Sequence, residues 1–238
     1  RTALWTPMIN SCGISEAKRI WDSAGMTAES LCVACLFEGE ALLREQLDLS
    51  DMFGARTLVI ITGGFEALRS AGHDGDIDYA RSLLVERLAL AAELADSYRV
   101  RLAFEPLHPM VCGFRSIVST LQESLDILDQ MDDSHDIGLA IDTYALWWEH
   151  DLQEKLKRAG RRILNYHVSD WLADTRDLRL DRGMPGDGQI ALCDWRHMIE
   201  AAGYFGPIEV EIFSRDRWWK TPAEKMIEEI IQRMNSAF

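Results

Sequence analysis

Four short apolar runs in this 238-residue chain end in a side chain that can bind a divalent cation: Glu105 after Arg-Leu-Ala-Phe, Asp142 after Leu-Ala-Ile, His167 after Leu-Asn-Tyr, and Glu211 after Glu-Val. Charged and imidazole groups at the ends of buried strands are costly to desolvate, and one metal ion neutralises several of them together. A single glutamate of this kind is as readily the buried partner of an Arg or Lys. Four such endings would need four separate partners, so the set points to a metalloenzyme.

The alternation within the runs supports this, because residues two apart in a strand point the same way. Ala103 shares a face with Glu105, Gly138 and Ala140 with Asp142, Asn165 with His167, and Glu209 with Glu211. The opposite faces carry Leu102, Phe104, Leu139, Ile141, Leu164, Tyr166, Ile208 and Val210. The pattern predicts a narrow polar interior inside a greasy layer. Glu209, one layer below Glu211, reads as a hydrogen-bonding partner within that interior rather than a ligand.

The elements that must position these residues alternate along the chain. Strands are expected at Arg1 to Trp5, Ser30 to Phe37, Arg56 to Thr62, Val100 to Glu105, Gly138 to Thr143, Ile163 to Ser169 and Pro207 to Phe213. Helices are expected at Ser15 to Ala24, Glu40 to Leu49, Tyr79 to Tyr98, Ser119 to Gln130, Asp151 to Ala159, Asp194 to Ala202 and Pro222 to Met234. Gly25, Gly160 and Gly203 follow helical segments where a left-handed cap is wanted. This is the βα repeat of an α/β parallel sheet. An open doubly wound sheet would gather its functional residues at one switch point, whereas here they are spread over four strands, as the mouth of a (β/α)₈ TIM barrel requires. The reading is one barrel domain over residues 1–238, with its first βα unit preceding Arg1.

Composition narrows the partners. The chain holds 25 basic and 39 acidic residues, a formal net charge of −14, which disfavours nucleic acid. No apolar run approaches the roughly 18 residues of a membrane span, and no signal peptide is visible, so a cytoplasmic protein without a membrane partner is expected. Five cysteines, an odd number in a chain of this size, fit reduced thiols. Cys32 and Cys35 form a C-x-x-C within a strand-like run, where core packing is expected of them.

Glu105-Pro106-Leu107-His108-Pro109, Asp142-Thr143-Tyr144, His167-Val168-Ser169-Asp170-Trp171, the loop Arg182-Gly183-Met184-Pro185-Gly186-Asp187-Gly188, and Glu209-Val210-Glu211-Ile212-Phe213 together resemble the xylose isomerase-like sugar phosphate isomerase/epimerase superfamily. The resemblance implies a TIM barrel in which Glu105, Asp142, His167 and Glu211 hold one divalent ion. It also implies that Glu105 and Glu211 act as the acid/base pair, and that His108, Asp170 and Arg182 make substrate or supporting contacts. Three carboxylates and one imidazole suit Mn²⁺ or Mg²⁺, with Co²⁺ and Zn²⁺ as alternatives. The implied reaction is isomerisation or epimerisation of a keto sugar or its phosphate through a metal-stabilised enediolate.

One position departs from the pattern. Relatives commonly carry a His three residues after the Asp, and Ala145 stands there, with His150 further along. The departure leaves room for a lyase or dehydratase that uses the same enolate on a keto cyclitol or 3-keto glycoside. Cleavage of abasic DNA, known in the same superfamily, needs further ligands and a basic track that the chain does not display. The loop at Gly183, Gly186 and Gly188 lacks the signature of a phosphate cradle and is expected to be a mobile lid, with Arg182 reaching toward substrate. Trp147, Trp148, Trp171, Trp218 and Trp219 suit a sugar pocket or packing, and the aromatic final third suits a homo-oligomer.

Overall fold

The computed structural model describes residues 2–132 and 135–236. Arg1, the first residue of the first expected strand, lies outside them. The chain divides into two compact units, Arg1–Ala140 and Ile141–Phe238. Unit 1 contains β1 (Thr2–Trp5), α1 (Thr6–Cys12), α2 (Ile14–Ala24), β2 (Ala28–Cys35), α3 (Glu40–Phe53), β3 (Thr57–Ile61), α4 (Phe65–Ser70), α5 (Ile77–Asp96), β4 (Arg101–Phe104) and α6 (Leu121–Leu128). Strand β5 (Ile137–Asp142) crosses the boundary. Unit 2 continues with α7 (Thr143–Leu146), α8 (Leu152–Ala159), β6 (Ile163–Val168), α9 (Leu192–Ala201), β7 (Ile208–Val210) and α10 (Ala223–Ser236).

All seven expected strands are present, in sheet order β1-β2-β3-β4-β5-β6-β7, and the neighbours β1 to β5 and the pair β6 and β7 run parallel. Three helices were not expected. Helix α1 starts directly after Trp5 with a proline in its first turn, and α4 and α7 are too short to show a helical period. Strand β7 is shorter than expected because the chain beyond Glu211 turns to another partner: the Phe213 carbonyl accepts from Arg182 N at 2.9 Å.

Unit 1 is built around strand residues whose outer faces are fully apolar. Leu31, Leu58, Ile60, Leu102 and Phe104 are completely buried against Leu47 of α3 and Leu84 and Leu88 of α5. The helices begin where the chain supplies a cap. Asp76 accepts from Tyr79 N at 3.0 Å before α5, and Thr120 accepts from Glu123 N at 3.0 Å before α6. Gly25 ends α2 in the left-handed conformation expected of it, φ 62°. Cys32 is buried in β2 beside Val59 of β3, and all five cysteines are free thiols.

The connection from β4 to α6 is long but firmly held. Ile117 N donates to Thr62 Oγ1 at 2.9 Å, Thr62 and Ser116 share a hydroxyl hydrogen bond at 3.1 Å, and Phe65 N donates to Gly113 O at 2.9 Å. The close approach falls at Gly64, where a Cβ would lie 2.1 Å from the Phe114 carbonyl oxygen.

In unit 2 the start of β7 is anchored by Tyr204, whose hydroxyl donates to Pro207 O at 2.7 Å and whose ring meets Tyr166 of β6 edge-on at 6.5 Å. No helix among the described residues is long and apolar enough to cross a membrane.

Gly64→Ala is expected to destabilise the protein by about 1–3 kcal/mol through overpacking. At about 2–4 °C per kcal/mol for a chain of this size, the thermal midpoint should fall by several degrees. A midpoint unchanged from wild type would mean that the β4–α6 connection is not wedged against Gly64.

Candidate metal centre

Unit 2 brings three of the expected ligands into one cluster. Asp142 ends β5, is completely buried, and caps α7 by accepting from Tyr144 N at 2.9 Å through Oδ1. Its other oxygen accepts from Arg182 Nη1 at 3.0 Å. Glu211 follows β7, and its N–H donates to Val168 O at 3.0 Å, so the ladder pattern continues past the strand. Glu211 Oε2 accepts from the same Arg182 Nη1 at 2.8 Å.

His167, 1% exposed, lies in β6 opposite Glu209 in the register of β6 and β7. Its Nε2 is 3.2 Å from Glu209 Oε2, and Asn165 Nδ2 donates to Glu209 Oε1 at 3.2 Å. Glu209 thus occupies the interior hydrogen-bonding place that alternation assigned to it. The Nε2 edge of the imidazole thus faces the Glu209 carboxylate, and its Nδ1 edge faces Glu211 Oε2 at 4.0 Å. This carboxylate–imidazole pairing fixes the ring and raises its basicity toward a metal. A carboxylate and an imidazole flanked by a further carboxylate are donors that suit a divalent cation, while Asp142 is bridged to Glu211 through Arg182.

Arg182 and Asp170, expected to make substrate or supporting contacts, are both engaged with neighbours in unit 2. Arg182 is buried at 8% exposure, with its guanidinium carbon 4.4 Å from the Tyr144 ring and 5.2 Å from the Phe213 ring. It joins two of the expected ligands rather than reaching out from a lid. Asp170, expected among substrate contacts, accepts Trp171 N and Ile190 N on Oδ1 and Gly186 N and Gly188 N on Oδ2, at 2.8–3.0 Å. Four backbone donors occupy this carboxylate, so it shapes the glycine-rich loop and pins the segment expected to be a mobile lid.

The residues that sequence reading left out are Tyr144 and Phe213, which sandwich the Arg182 guanidinium. Both stand inside the quoted motifs, but nothing in a one-dimensional pattern says that they share a cation. Burial pushes the Tyr144 phenol up to about 12, so it stays protonated, and its hydroxyl donates to Leu178 O at 3.1 Å. Ala145 is buried, and His150 is exposed. Trp171 stacks on Tyr144 and Trp147, with centroids at 4.9 and 5.5 Å. Trp148, Trp218 and Trp219 donate to Ala145 O, Asp187 Oδ2 and Ile212 O.

Unit 1 holds the other two expected site residues. Glu105 is buried directly after β4, and its N–H donates to Ile60 O of β3 at 2.9 Å. His108 is half-buried, which pushes its imidazole below the usual histidine range, and its Nδ1 accepts from Met110 N at 3.2 Å.

The model of the xylose isomerase-like TIM barrel family matches residues 38–237. A structure from Sinorhizobium meliloti 1021 is 38% identical, covering 99% of this chain and 87% of that one with a TM-score of 0.87. Two others share the fold at lower identity. The IOLI protein with a bound zinc atom is 17% identical, covering 99% and 86% of the two chains at a TM-score of 0.79. D-allulose 3-epimerase from Methylomonas sp. is 16% identical, covering 99% and 86% at 0.73. No curated protein matches the chain in sequence. A family match over most of the chain, and a relative at 38% identity across nearly all of it, settle its membership: the protein belongs to the xylose isomerase-like TIM barrel family.

Proposed function

We propose that the protein is a divalent-metal-dependent isomerase or epimerase of a keto sugar or sugar phosphate. The observation that carries this reading is the placing of the buried His167 between two carboxylates, with Nε2 toward Glu209 and Nδ1 toward Glu211. An imidazole prepared in this way suits metal ligation better than simple core packing.

In this reading Glu105 and Asp142 complete a set of four ligands with His167 and Glu211, within one barrel domain over residues 1–238. A mostly oxygen donor set favours Mn²⁺, with Mg²⁺, Co²⁺ or Zn²⁺ able to replace it. When bound, the ion would supply Lewis-acid polarisation of the substrate carbonyl.

The chain's own groups carry the proton. A carboxylate oxygen of Glu105 or Glu211 takes the proton α to the carbonyl, and the other glutamate returns one. Return to the opposite face of the same carbon gives epimerisation, and return to the neighbouring carbon gives isomerisation. Asp142 accepts from Arg182, and His108, its imidazole pushed below the usual range by burial, is a candidate hydrogen-bonding contact for substrate. The Ala145 departure leaves room for a second reading, a lyase or dehydratase in which the same carbanion expels a β substituent of a keto cyclitol or 3-keto glycoside.

The wider reading is a cytoplasmic enzyme acting on a small carbohydrate, with neither nucleic acid nor membrane as partner and with a homo-oligomer favoured by its aromatic final third. The formal net charge of −14 supports the first part of this.

Purified protein is expected to hold one divalent ion per chain by elemental analysis, and in D₂O it should place deuterium α to the carbonyl of a ketose or keto cyclitol, with exchange abolished by chelation. Absence of exchange across ketoses, ketose phosphates and keto cyclitols would remove the proposal, and an eliminated product would favour the second reading. Glu105→Gln and Glu211→Gln should each lower exchange by about 10²–10⁴-fold. Glu209→Gln is expected to weaken metal binding by about 10–100-fold, read by competition with a chelating dye. Unchanged affinity in that variant would show that Glu209 does not serve His167.

A further inference from the structure

We propose that a cleft at the carboxyl ends of β2 and β3 binds the uncharged, polyhydroxylated remainder of the substrate, so that the enzyme acts on an unphosphorylated keto compound. This rests on the function proposed above and names its substrate class.

The cleft lies wholly in unit 1, has a volume of about 370 Å³, and is lined by Cys35, Glu38, Gly64, Glu66, Phe114 and Arg115 among others. That volume is within the range of small-molecule sites. Ile61, another lining residue, follows the Ile60 whose carbonyl binds Glu105 N, so the cleft opens on the same sheet edge as the proposed catalytic glutamate, one strand away.

Its outer wall is rigid, because the loop carrying Phe114 and Arg115 is tied to β3 through Thr62, Ser116 and Gly113 and lies against Gly64. That loop holds Phe114 at the rim with 69% of its surface exposed. An aromatic ring fixed in the open beside a polar cleft offers a flat apolar face of the kind that packs on a sugar ring.

The charges of the cleft argue against a phosphate group. Arg115 is its one cationic lining residue, and it stands against the two exposed carboxylates of Glu38 and Glu66. Burial pushes the Cys35 thiol up to about 11, so it adds no charge. Phosphate recognition draws on clustered cations or unspent backbone N–H groups. At the start of α4, Phe65 N already donates to Gly113 O, and Glu66 stands in the same turn. Hydroxyl groups both donate and accept, and they match this mixture of two carboxylates and one guanidinium.

The test measures binding without turnover. Saturation-transfer NMR titrations on the protein would compare neutral and phosphorylated pairs: D-fructose with its 6-phosphate, myo-inositol with its 1-phosphate, and methyl β-D-glucopyranoside with its 6-phosphate. At least one neutral probe is expected to bind about tenfold or more tightly than its phosphate, a difference of about 1.4 kcal/mol. Phe114→Ala, at an exposed position, should weaken that neutral probe by about 3- to 10-fold. The double variant Glu38→Lys, Glu66→Lys should tighten the phosphorylated partner by about tenfold. Failure of every neutral probe to bind, phosphates binding as well as their neutral partners, or neutral binding indifferent to Phe114→Ala would each overturn the inference. Deuterium exchange into a phosphorylated ketose alone would also overturn it while leaving the metal-dependent enzyme intact, so the two readings fail separately.

Discussion

Arg182 sets one guanidinium nitrogen within hydrogen-bond reach of both Asp142 and Glu211, in a place from which water is largely excluded. Carboxylates buried together repel each other and lose their hydration, so the cluster depends on positive charge from somewhere. Removing one partner of such a buried arrangement typically costs about 3–5 kcal/mol. The surroundings of Arg182 follow from that dependence. Tyr144 and Phe213 stack on the guanidinium, Ser169 lies at 3.4 Å from Nη1, and the backbone of Arg182 is bonded to Phe213. Asp170 gathers four N–H groups to shape the turn that follows. A flexible loop could not hold the cation at that spot.

Much of this was legible in the chain itself. Strand period, the glycines after helices and the acidic endings of apolar runs are local signals, and they placed all seven strands and the cap at Gly25. The interior role of Glu209 was also readable, since a two-residue offset from Glu211 in a strand fixes its face and its depth. The roles of Arg182 and Asp170 were not readable. A motif gives the order of residues but not the backbone path, and only the path shows that four amides close around Asp170 or that Arg182 turns inward between two rings. The short helices α1, α4 and α7 escaped for a simpler reason: one or two turns carry too few positions for a period to emerge.

Unit 1 applies a different economy at its sheet edge. There the long connection after β4 is fastened by side-chain hydroxyls of Thr62 and Ser116, which serve backbone groups that a regular element would have satisfied internally. The same fastening presents a hydrophobic ring and a cation to solvent. Binding elements on loops gain precision when the loop is held by a rigid scaffold.

The clasp that Tyr204 makes on Pro207 has a consequence for how the last strand pair can vary. His167 and Glu209 meet because their Cα atoms are partners across β6 and β7, and a slip of a single residue would turn both glutamates of β7 toward the opposite face. Tyr204, fixed to the strand entrance and leaning on Tyr166, acts as an alignment pin for that pairing. A residue added between Pro207 and Glu209 would carry Glu209 out of register with His167.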